Sequence, residues 1–218
     1  KNPNVCVHVD GVQGFMRVPM HMERMGVDLY ALSGHKIHGP KGIGVLAVRP
    51  GVRLIPQITG GGQEKGLRSG TYNSPAILGL GEAVKTFAAD RDAVGRMRAM
   101  KAHLWMVLSE EDGIRLNGPK PGETDSAPHI LSLSFDGVRG EVMRNALEGE
   151  GILVATGSAC ASHKQKVSST LRAMGLTQAQ ADGTIRVSLG VMNTMEEMDE
   201  AATHMLALYR MLRQFRRR

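Results

Sequence analysis

The chain has 218 residues, of which 42% are hydrophobic and only 4% aromatic, and its formal net charge is +6. This composition is ordinary for a globular protein with one large domain or two small ones. A membrane-spanning helix is not expected, because no apolar run approaches the roughly 18 residues that a membrane span needs. No secretory segment precedes the first apolar run, so the two cysteines are expected to be free thiols in the cytoplasm.

Short apolar runs in the first part of the chain predict a buried parallel or mixed β-sheet. These runs cover Val5–Asp10, Leu29–Leu32 and Gly44–Val48, and a short helical stretch lies near Met20–Met25. Cys6 lies among valines in the first run, which predicts a cysteine in the core.

A long helical stretch follows the glycine-rich loop at residues 60–62. Ser74 and Pro75 predict its start, as the N-cap and the first helical residue, and helical sequence continues to about Glu111. A first domain, residues 1–92, and a second domain, residues 93–218, are expected to meet within this stretch. Its candidate break points are Gly79, Gly81 and Gly95.

Strands and helices alternate in the rest of the chain, which predicts a small α/β domain. A capping box formed by Thr194 and Glu197 opens the last helix, whose apolar residues repeat on one face. The arginines after this helix indicate a solvated chain end, or a site of attraction for RNA or an acidic partner. The other predicted elements are strands at His129–Phe135, Ile152–Ala155 and Thr184–Leu189 and a helix at Gly140–Glu148; the apolar face of the last helix comprises Met198, Ala202, Met205, Tyr209 and Leu212.

Several residues of the first domain could take part in chemistry. Ser33, His35 and Lys36 follow a predicted strand and precede several glycines. They suit a phosphate-binding loop with a Schiff-base lysine, or a basic surface turn. Asp10 suits a partner for a protonated pyridine nitrogen, with Gln13 on the ring hydroxyl, or a helix N-cap.

Two residues of the second domain have a similar potential. Cys160 lies among small residues, which favours an exposed, reactive thiol over a buried structural cysteine. Arg186, in the middle of a predicted strand, would either point to solvent or clamp a carboxylate with its guanidinium fork.

Five motifs occur in the order and approximate spacing of the cysteine desulfurase family, which the chain resembles from residue 5 to its end: HVDGVQ, SGHKIHGPKG, GGGQEKGLRSGT, ATGSACAS and IRVSLG. The resemblance covers the C-terminal half of the family. It implies an α/β protein, the C-terminal part of a fold type I pyridoxal-phosphate enzyme's large domain followed by a small α/β domain, in a homodimer. VRGEVM and SACASHK resemble the branch with a longer cysteine loop, which feeds iron–sulfur cluster assembly and tRNA thiolation.

The resemblance also implies roles for individual residues. Lys36 holds pyridoxal 5′-phosphate covalently, and Cys160 takes sulfur from L-cysteine as a persulfide, leaving L-alanine. No metal site is expected, apart from a transient iron–sulfur cluster on Cys160. The other implied contacts are Asp10 with the pyridinium nitrogen, Gln13 with the ring hydroxyl, Ser33 and His35 with the phosphate, Thr71 with the phosphate in the partner subunit, and Arg186 with the substrate carboxylate.

In the family, a phosphate loop, a ring-stacking histidine and a substrate-binding asparagine precede the DGVQ-type motif, and here they would lie before Lys1. The chain is therefore expected to be a fragment, or to be completed by another polypeptide, with little activity alone. Expected partners are L-cysteine and a sulfur acceptor, either an iron–sulfur scaffold or a tRNA-thiolation enzyme; the sequence establishes no direct binding of nucleic acid. The alternatives are a selenocysteine lyase or other fold type I enzyme, and an inactive fragment that serves as a binding module.

Overall fold

The computed structural model describes residues 5–123, 126–156 and 168–215 of the chain. The chain divides into two compact units, Lys1–Arg91 and Asp92–Arg218. Within the described residues, each unit contains a sheet of three strands.

The sheet of the first unit is mixed, as predicted. Its strands β1 (His8–Asp10), β2 (Leu29–Ser33) and β3 (Gly44–Val48) are ordered β1-β2-β3. β1 runs parallel to β2, and β2 runs antiparallel to β3. The prediction that this sheet is buried is wrong for the described residues, because Val5 and Val7 are 57% and 38% exposed, and Val45 and Leu46 of β3 are also exposed.

Cys6 is exposed, so the prediction of a core cysteine is wrong. The ladder between β1 and β2 begins with the pairing of His8 and Leu29, and Cys6 therefore precedes it. Within the described residues β1 pairs with β2 alone and is an edge strand. A run of valines is thus not enough to bury a side chain in this part of the chain, where β1 is paired on one side only.

Short turns and one long helix complete the first unit. α1 (Met22–Met25) ends at Gly26, whose φ of 67° lies in the left-handed region that favours glycine. A 3-10 turn, Gly34–Ile37, follows β2, and a second, Glu64–Gly66, precedes α2 (Ser74–Ala89).

The start of α2 lies one residue away from its predicted position. The N-cap is Asn73, whose side-chain oxygen accepts a hydrogen bond from the backbone N–H of Ala76. Ser74 is the first helical residue, and Pro75 is the second. Asn is as good an N-cap as Ser, so the carboxamide that reaches the free N–H determines where the helix begins.

The long helical stretch is divided at residues 90–92, which separate the end of α2 from the start of α3 (Ala93–Leu108). Gly79 does not break α2 but lets a loop approach it, because a Cβ at this position would lie 2.6 Å from Cγ of Pro40. The prediction of break points at glycines is therefore wrong for all three candidates, which lie inside helices: Gly79, Gly81 and Gly95.

The sheet of the second unit is entirely antiparallel. Its strands β4 (Ile114–Leu116), β5 (Ile130–Phe135) and β6 (Thr184–Ser188) are ordered β4-β5-β6. β4 is too short for its alternation to be recognised in the sequence. The strand predicted at Ile152–Ala155 is present only as an isolated bridge between Ala155 and Arg186.

The helices of the second unit enclose its core. Besides α3 they are α4 (Gly140–Gly149), α5 (Ser169–Ala173), α6 (Gln178–Asp182) and α7 (Met195–Leu212). The predicted capping box of α7 is confirmed, since the N–H of Glu197 donates to Thr194 Oγ1 and the N–H of Thr194 donates to Glu197 Oε2. The predicted face of α7 is also confirmed: Met198, Ala202, Met205 and Tyr209 are buried, and Leu212 is half-buried.

No helix in the described parts of the chain is both long enough and apolar enough to cross a lipid bilayer.

Candidate functional site

The candidate side chains of the first unit lie where two parallel strands end. Asp10 is the last residue of β1 and pairs with Ala31 of β2. β2 ends at Ser33, and the 3-10 turn that carries His35 and Lys36 follows directly. Because parallel strands present their carboxyl ends at the same edge of a sheet, these residues emerge together, at the edge where ligands bind in open α/β sheets.

Asp10 is exposed, and its Oδ1 accepts a hydrogen bond from the N–H of Val12 at 3.0 Å. Val12 lies in the turn after β1, so this contact resembles the N-cap alternative that the sequence left open. A carboxylate has acceptor sites for more than one donor. The contact with the turn is therefore compatible with a second contact, to a ligand.

Tyr30 lies under the turn that follows Asp10 and was not recognised from the sequence. A Cβ at Gly11 would lie 2.0 Å from Cζ of Tyr30, so only glycine fits after Asp10. The hydroxyl group of Tyr30 donates to the Gly11 carbonyl oxygen at 3.4 Å. Burial and, to a lesser extent, the charge of Asp10 raise the pKa of Tyr30, so this hydroxyl keeps its proton.

The turn after β2 presents three polar side chains. Ser33 Oγ and His35 Nδ1 are 2.7 Å apart, which fixes the hydroxyl and the imidazole relative to each other. Lys36 is half-buried and His35 is exposed. The hydroxyl, the imidazole and the amine thus all come from one short stretch of backbone.

Close packing determines the path of this turn. The N–H groups of His38 and Gly39 both donate to the Gly34 carbonyl oxygen. A Cβ at Gly34 would lie 2.8 Å from Cγ2 of Ile43 and 3.2 Å from Cδ1 of Leu80, on α2. The turn that carries Lys36 is therefore held against α2, and Gly34 is required for that contact.

Arg17 is a further residue that reaches the turn, and no pattern in the sequence indicated it. Its Nη2 donates to the carbonyl oxygen of Lys36 at 2.6 Å. Only 6% of Arg17 is exposed. Arginine at a turn usually indicates a solvated side chain, so only the structure could identify this contact.

The side chains at this edge have the chemistry that pyridoxal phosphate requires. Asp10 provides a carboxylate for a protonated ring nitrogen, Lys36 an amine for the aldehyde, and the Ser33–His35 pair donors for a phosphate. Gln13 and Thr71 are both exposed. Their predicted contacts, with the ring hydroxyl and with a phosphate in the partner subunit, stay predictions.

Arg186 belongs to the second unit and is half-buried on β6. Its Nε donates to Ser188 Oγ at 3.3 Å. Its backbone exchanges two hydrogen bonds with Ala155, of 2.6 and 3.1 Å. Cys160 follows Ala155 in the sequence but lies outside the described residues, so its predicted role stays a prediction.

A cleft of about 250 Å³ in the second unit contains none of the predicted site residues; Asp112, Gly113, Asp136, Tyr209 and Arg213 line it. Its charged groups include both signs, and burial is the main cause that raises the pKa of Tyr209. In the described ranges, no group of three or more His, Cys, Asp or Glu side chains is placed to hold a metal ion.

Comparison with known proteins relates the whole chain to one family. The family model for class-V aminotransferases matches residues 1–200. Cysteine desulfurase IscS from Klebsiella pneumoniae subsp. pneumoniae is 40% identical over 200 residues, which are 90% of this chain and 48% of that protein. The chain thus spans about half the length of the curated relatives it matches.

Solved structures agree with this relationship. A NifS-like protein superposes with a TM-score of 0.84 at 37% identity, over 97% of this chain and 54% of the other. SspA in complex with cysteine superposes with a TM-score of 0.66 at 31% identity, over 87% and 52%. The predicted fold, the C-terminal part of a fold type I pyridoxal-phosphate enzyme, is confirmed. The chain therefore belongs to the class V aminotransferase family, and it is similar within that family to proteins named cysteine desulfurases.

Proposed function

We propose that this chain supplies the cofactor lysine and the sulfur-accepting cysteine of a pyridoxal-phosphate-dependent cysteine desulfurase. The observation that carries the proposal is the position of Asp10 and Lys36 at the carboxyl ends of the adjacent parallel strands β1 and β2. The family supports the proposal as well, because its members in general depend on this cofactor and the chain's relatives are named cysteine desulfurases.

L-cysteine is the proposed substrate, and the structural similarity to a protein solved with cysteine supports it. Arg186 would hold the substrate carboxylate, since a guanidinium fork matches the two carboxylate oxygens. Its Nε already donates to Ser188 Oγ, which orients the guanidinium group along β6.

Bound pyridoxal phosphate supplies an electron sink for the negative charge that develops at the substrate Cα. The carboxylate of Asp10 would accept a hydrogen bond from the ring nitrogen and keep that nitrogen protonated. The Nζ of Lys36 would take the Cα proton as a neutral amine. Ser33, His35 and, from the partner subunit of a homodimer, Thr71 would hold the phosphate, and Gln13 would contact the ring hydroxyl.

Cys160 completes the reaction as its nucleophile. Its thiolate attacks the substrate sulfur, so that a sulfur–sulfur bond forms while the Cβ–S bond breaks and its electron pair stays with Cβ. Protonation of Cβ, with return of the Cα proton from Lys36, yields L-alanine, and the persulfide on Cys160 passes its terminal sulfur to an acceptor. In the cytoplasm this acceptor would be an iron–sulfur scaffold or a tRNA-thiolation enzyme.

Borohydride trapping tests the cofactor site. The full-length protein is incubated with pyridoxal phosphate, reduced and digested, and the labelled peptide is identified by mass spectrometry. We expect the label on Lys36 and its loss in Lys36→Ala. The control is Lys41→Ala, which removes an exposed lysine from the same loop and should keep the label. A label that is unchanged in Lys36→Ala would overturn the proposal.

A further inference from the structure

Arg17 is buried in the first unit without the partners that a buried cation normally has. Nη2 donates to the Lys36 carbonyl oxygen, and Cζ lies 5.7 Å from the centre of the Phe87 ring, on α2. Within the part of the chain that the structure describes, neither Nε nor Nη1 has a hydrogen-bond acceptor. Burial lowers the pKa of Arg17 below its usual value, in agreement with a guanidinium that has lost water.

This arrangement is unfavourable for stability by itself. Burial removes the water that would bind the two unpaired N–H donors of the guanidinium, and hydrogen bonds within the described residues do not replace all of it. An apolar side chain of similar length would fill the same space without that penalty. The presence of arginine is therefore better explained by the single strong bond that it makes than by packing.

The backbone before Arg17 is also in an uncommon conformation. Met16 has a φ of 61°, a left-handed value that is unfavourable for a residue with a Cβ. The turn around it is closed by hydrogen bonds from Phe15 N–H to the Gly11 carbonyl and from Val18 N–H to the Gly14 carbonyl, both 2.8 Å. The strained residue thus lies in a well-bonded turn and directs the next side chain, Arg17, inwards.

The acceptor of Arg17 is the carbonyl group of the lysine itself. Lys36 lies near the end of the 3-10 turn, where carbonyl groups run out of partners within the turn. The N–H groups of His38 and Gly39 go to Gly34, not to Lys36. A cation at the carboxyl end of a helical turn can supply the missing donor, and Arg17 does so at 2.6 Å.

We propose that Arg17 is a positioning residue for Lys36: its guanidinium holds the Lys36 carbonyl and so fixes the direction in which the lysine amine leaves the turn. The proposal rests on the proposed function, because the direction of the amine matters only if Lys36 reacts. Arg17 touches neither substrate nor cofactor and acts through the backbone of Lys36.

The test compares the full-length wild-type protein with Arg17→Met and Arg17→Lys. The matched control is Arg24→Met, which changes an exposed arginine on α1. Amide hydrogen exchange is measured at His38 and Gly39, with Tyr30 and Ala47, which are paired in the β2–β3 ladder, as internal references. In parallel, borohydride trapping measures the rate at which Lys36 forms its adduct with added pyridoxal phosphate.

In Arg17→Met we expect exchange at His38 and Gly39 to rise roughly 10- to 100-fold, as for the loss of one charge-assisted hydrogen bond. Exchange at Tyr30 and Ala47 should stay at the wild-type rate, and adduct formation should slow. Arg17→Lys should lie between the two, because it keeps the charge but loses the fork. Arg24→Met should match wild type throughout.

Four results would overturn the proposal. Wild-type exchange at His38 and Gly39 in Arg17→Met would show that Arg17 does not hold the turn, and acceleration at all four amides would show a general structural role. Adduct formation at the wild-type rate in Arg17→Met would overturn the positioning role alone. Absence of any adduct on wild-type Lys36 would overturn the proposed function, and the positioning role with it.

Discussion

The hydroxyl group of Tyr209 lies directly over Gly113: a Cβ at position 113 would be 2.1 Å from the Tyr209 oxygen. The same hydroxyl donates to the Asp136 carbonyl oxygen at 3.1 Å, and the ring packs edge-on against Phe135 at 5.4 Å. Gly113 also has a φ of 95°, which L side chains rarely adopt. One contact therefore joins the turn before β4 to the last helix, and only glycine permits it.

We expect Gly113→Ala to lower the free energy of unfolding by roughly 2–4 kcal/mol, because a steric clash adds to left-handed strain. Tyr209→Phe should cost about 1 kcal/mol for one lost hydrogen bond. The double variant should be more stable than the sum of the single changes predicts, because removal of the hydroxyl relieves the closest contact. Urea denaturation of the four proteins measures this coupling.

Gly151→Ala is the control for strain without a clash. Gly151 has a φ of 78°, and a Cβ there would meet nothing within 4 Å. It should cost about 1–2 kcal/mol and show no coupling to Tyr209→Phe. Additive costs in the cycle of Gly113 and Tyr209 would contradict the predicted contact.

Cys160 and Cys6 should differ sharply in the full-length protein. Cys160→Ser should still bind pyridoxal phosphate and L-cysteine, since those steps use Lys36 and Arg186, but it should lose alanine production and the protein persulfide together. Cys6→Ser should lose neither, because Cys6 lies outside the turn that carries Lys36 and outside the Cys160 motif. Alanine release and persulfide labelling measure both outcomes. Full alanine production from L-cysteine by Cys160→Ser would favour the selenocysteine-lyase alternative.

Arg186→Lys should lower kcat/KM for L-cysteine. The decrease should correspond to a loss of about 1.5–3 kcal/mol of transition-state stabilisation, the range for charge-assisted hydrogen bonds. Lysine keeps the charge but cannot make two parallel bonds to one carboxylate. Arg115→Lys is the control, because Arg115 is an exposed arginine on β4 that pairs with Asp136. Steady-state kinetics measure both variants. An unchanged kcat/KM in Arg186→Lys would show that Arg186 has a structural role in β6 and does not bind the substrate carboxylate.

Lys101 is a buried amine on α3 that holds a loop of the second unit. Its Nζ donates to Ser126 Oγ at 2.5 Å and to the Ala127 carbonyl oxygen at 2.8 Å. Burial and, to a lesser extent, the charge of Arg98 lower the pKa of Lys101 below its usual 10.5. The charged form is therefore less favourable in the folded protein than in the unfolded chain.

The stability of the protein should consequently depend on Lys101 at alkaline pH. Between the lowered folded-state pKa and the unfolded value of 10.5, the unfolded chain binds more protons, so the free energy of unfolding rises with pH. Below the folded-state pKa the penalty is fully present, and above 10.5 it is absent. The difference in unfolding free energy between wild type and Lys101→Met should shift in favour of wild type as the pH rises towards 10.5. Lys85→Met, which changes an exposed lysine, should show no such trend.

The sequence predicted elements whose signals are local. Thr194 and Glu197 lie three residues apart and form a capping box whatever the rest of the fold does, so the start of α7 was predictable. Ser33, His35 and Lys36 are consecutive or nearly so, and their common turn followed from the strand before them. The family resemblance then gave these residues a chemical meaning that their spacing alone left open.

Predictions failed where neighbours distant in the sequence decide the outcome. Cys6 is exposed because β1 has one neighbouring strand within the described residues, and its valine neighbours do not indicate how many strands lie beside it. Gly79 stays within α2 and leaves room for Pro40, a residue distant in the sequence. Arg17 is buried by α2 and bonded to Lys36, two contacts that no residue next to it indicates.

The bridge between Ala155 and Arg186 has a consequence for how this fold can vary. Two backbone hydrogen bonds hold these two residues together, although 30 residues separate them in the sequence. The entropy lost on closing a loop grows only with the logarithm of its length, by about 0.6 kcal/mol for each doubling. A change in the number of residues between these two anchors should therefore cost the second unit little while both hydrogen bonds persist. The length of sequence between Ala155 and Arg186 can thus change in evolution almost independently of the stability of β5 and β6.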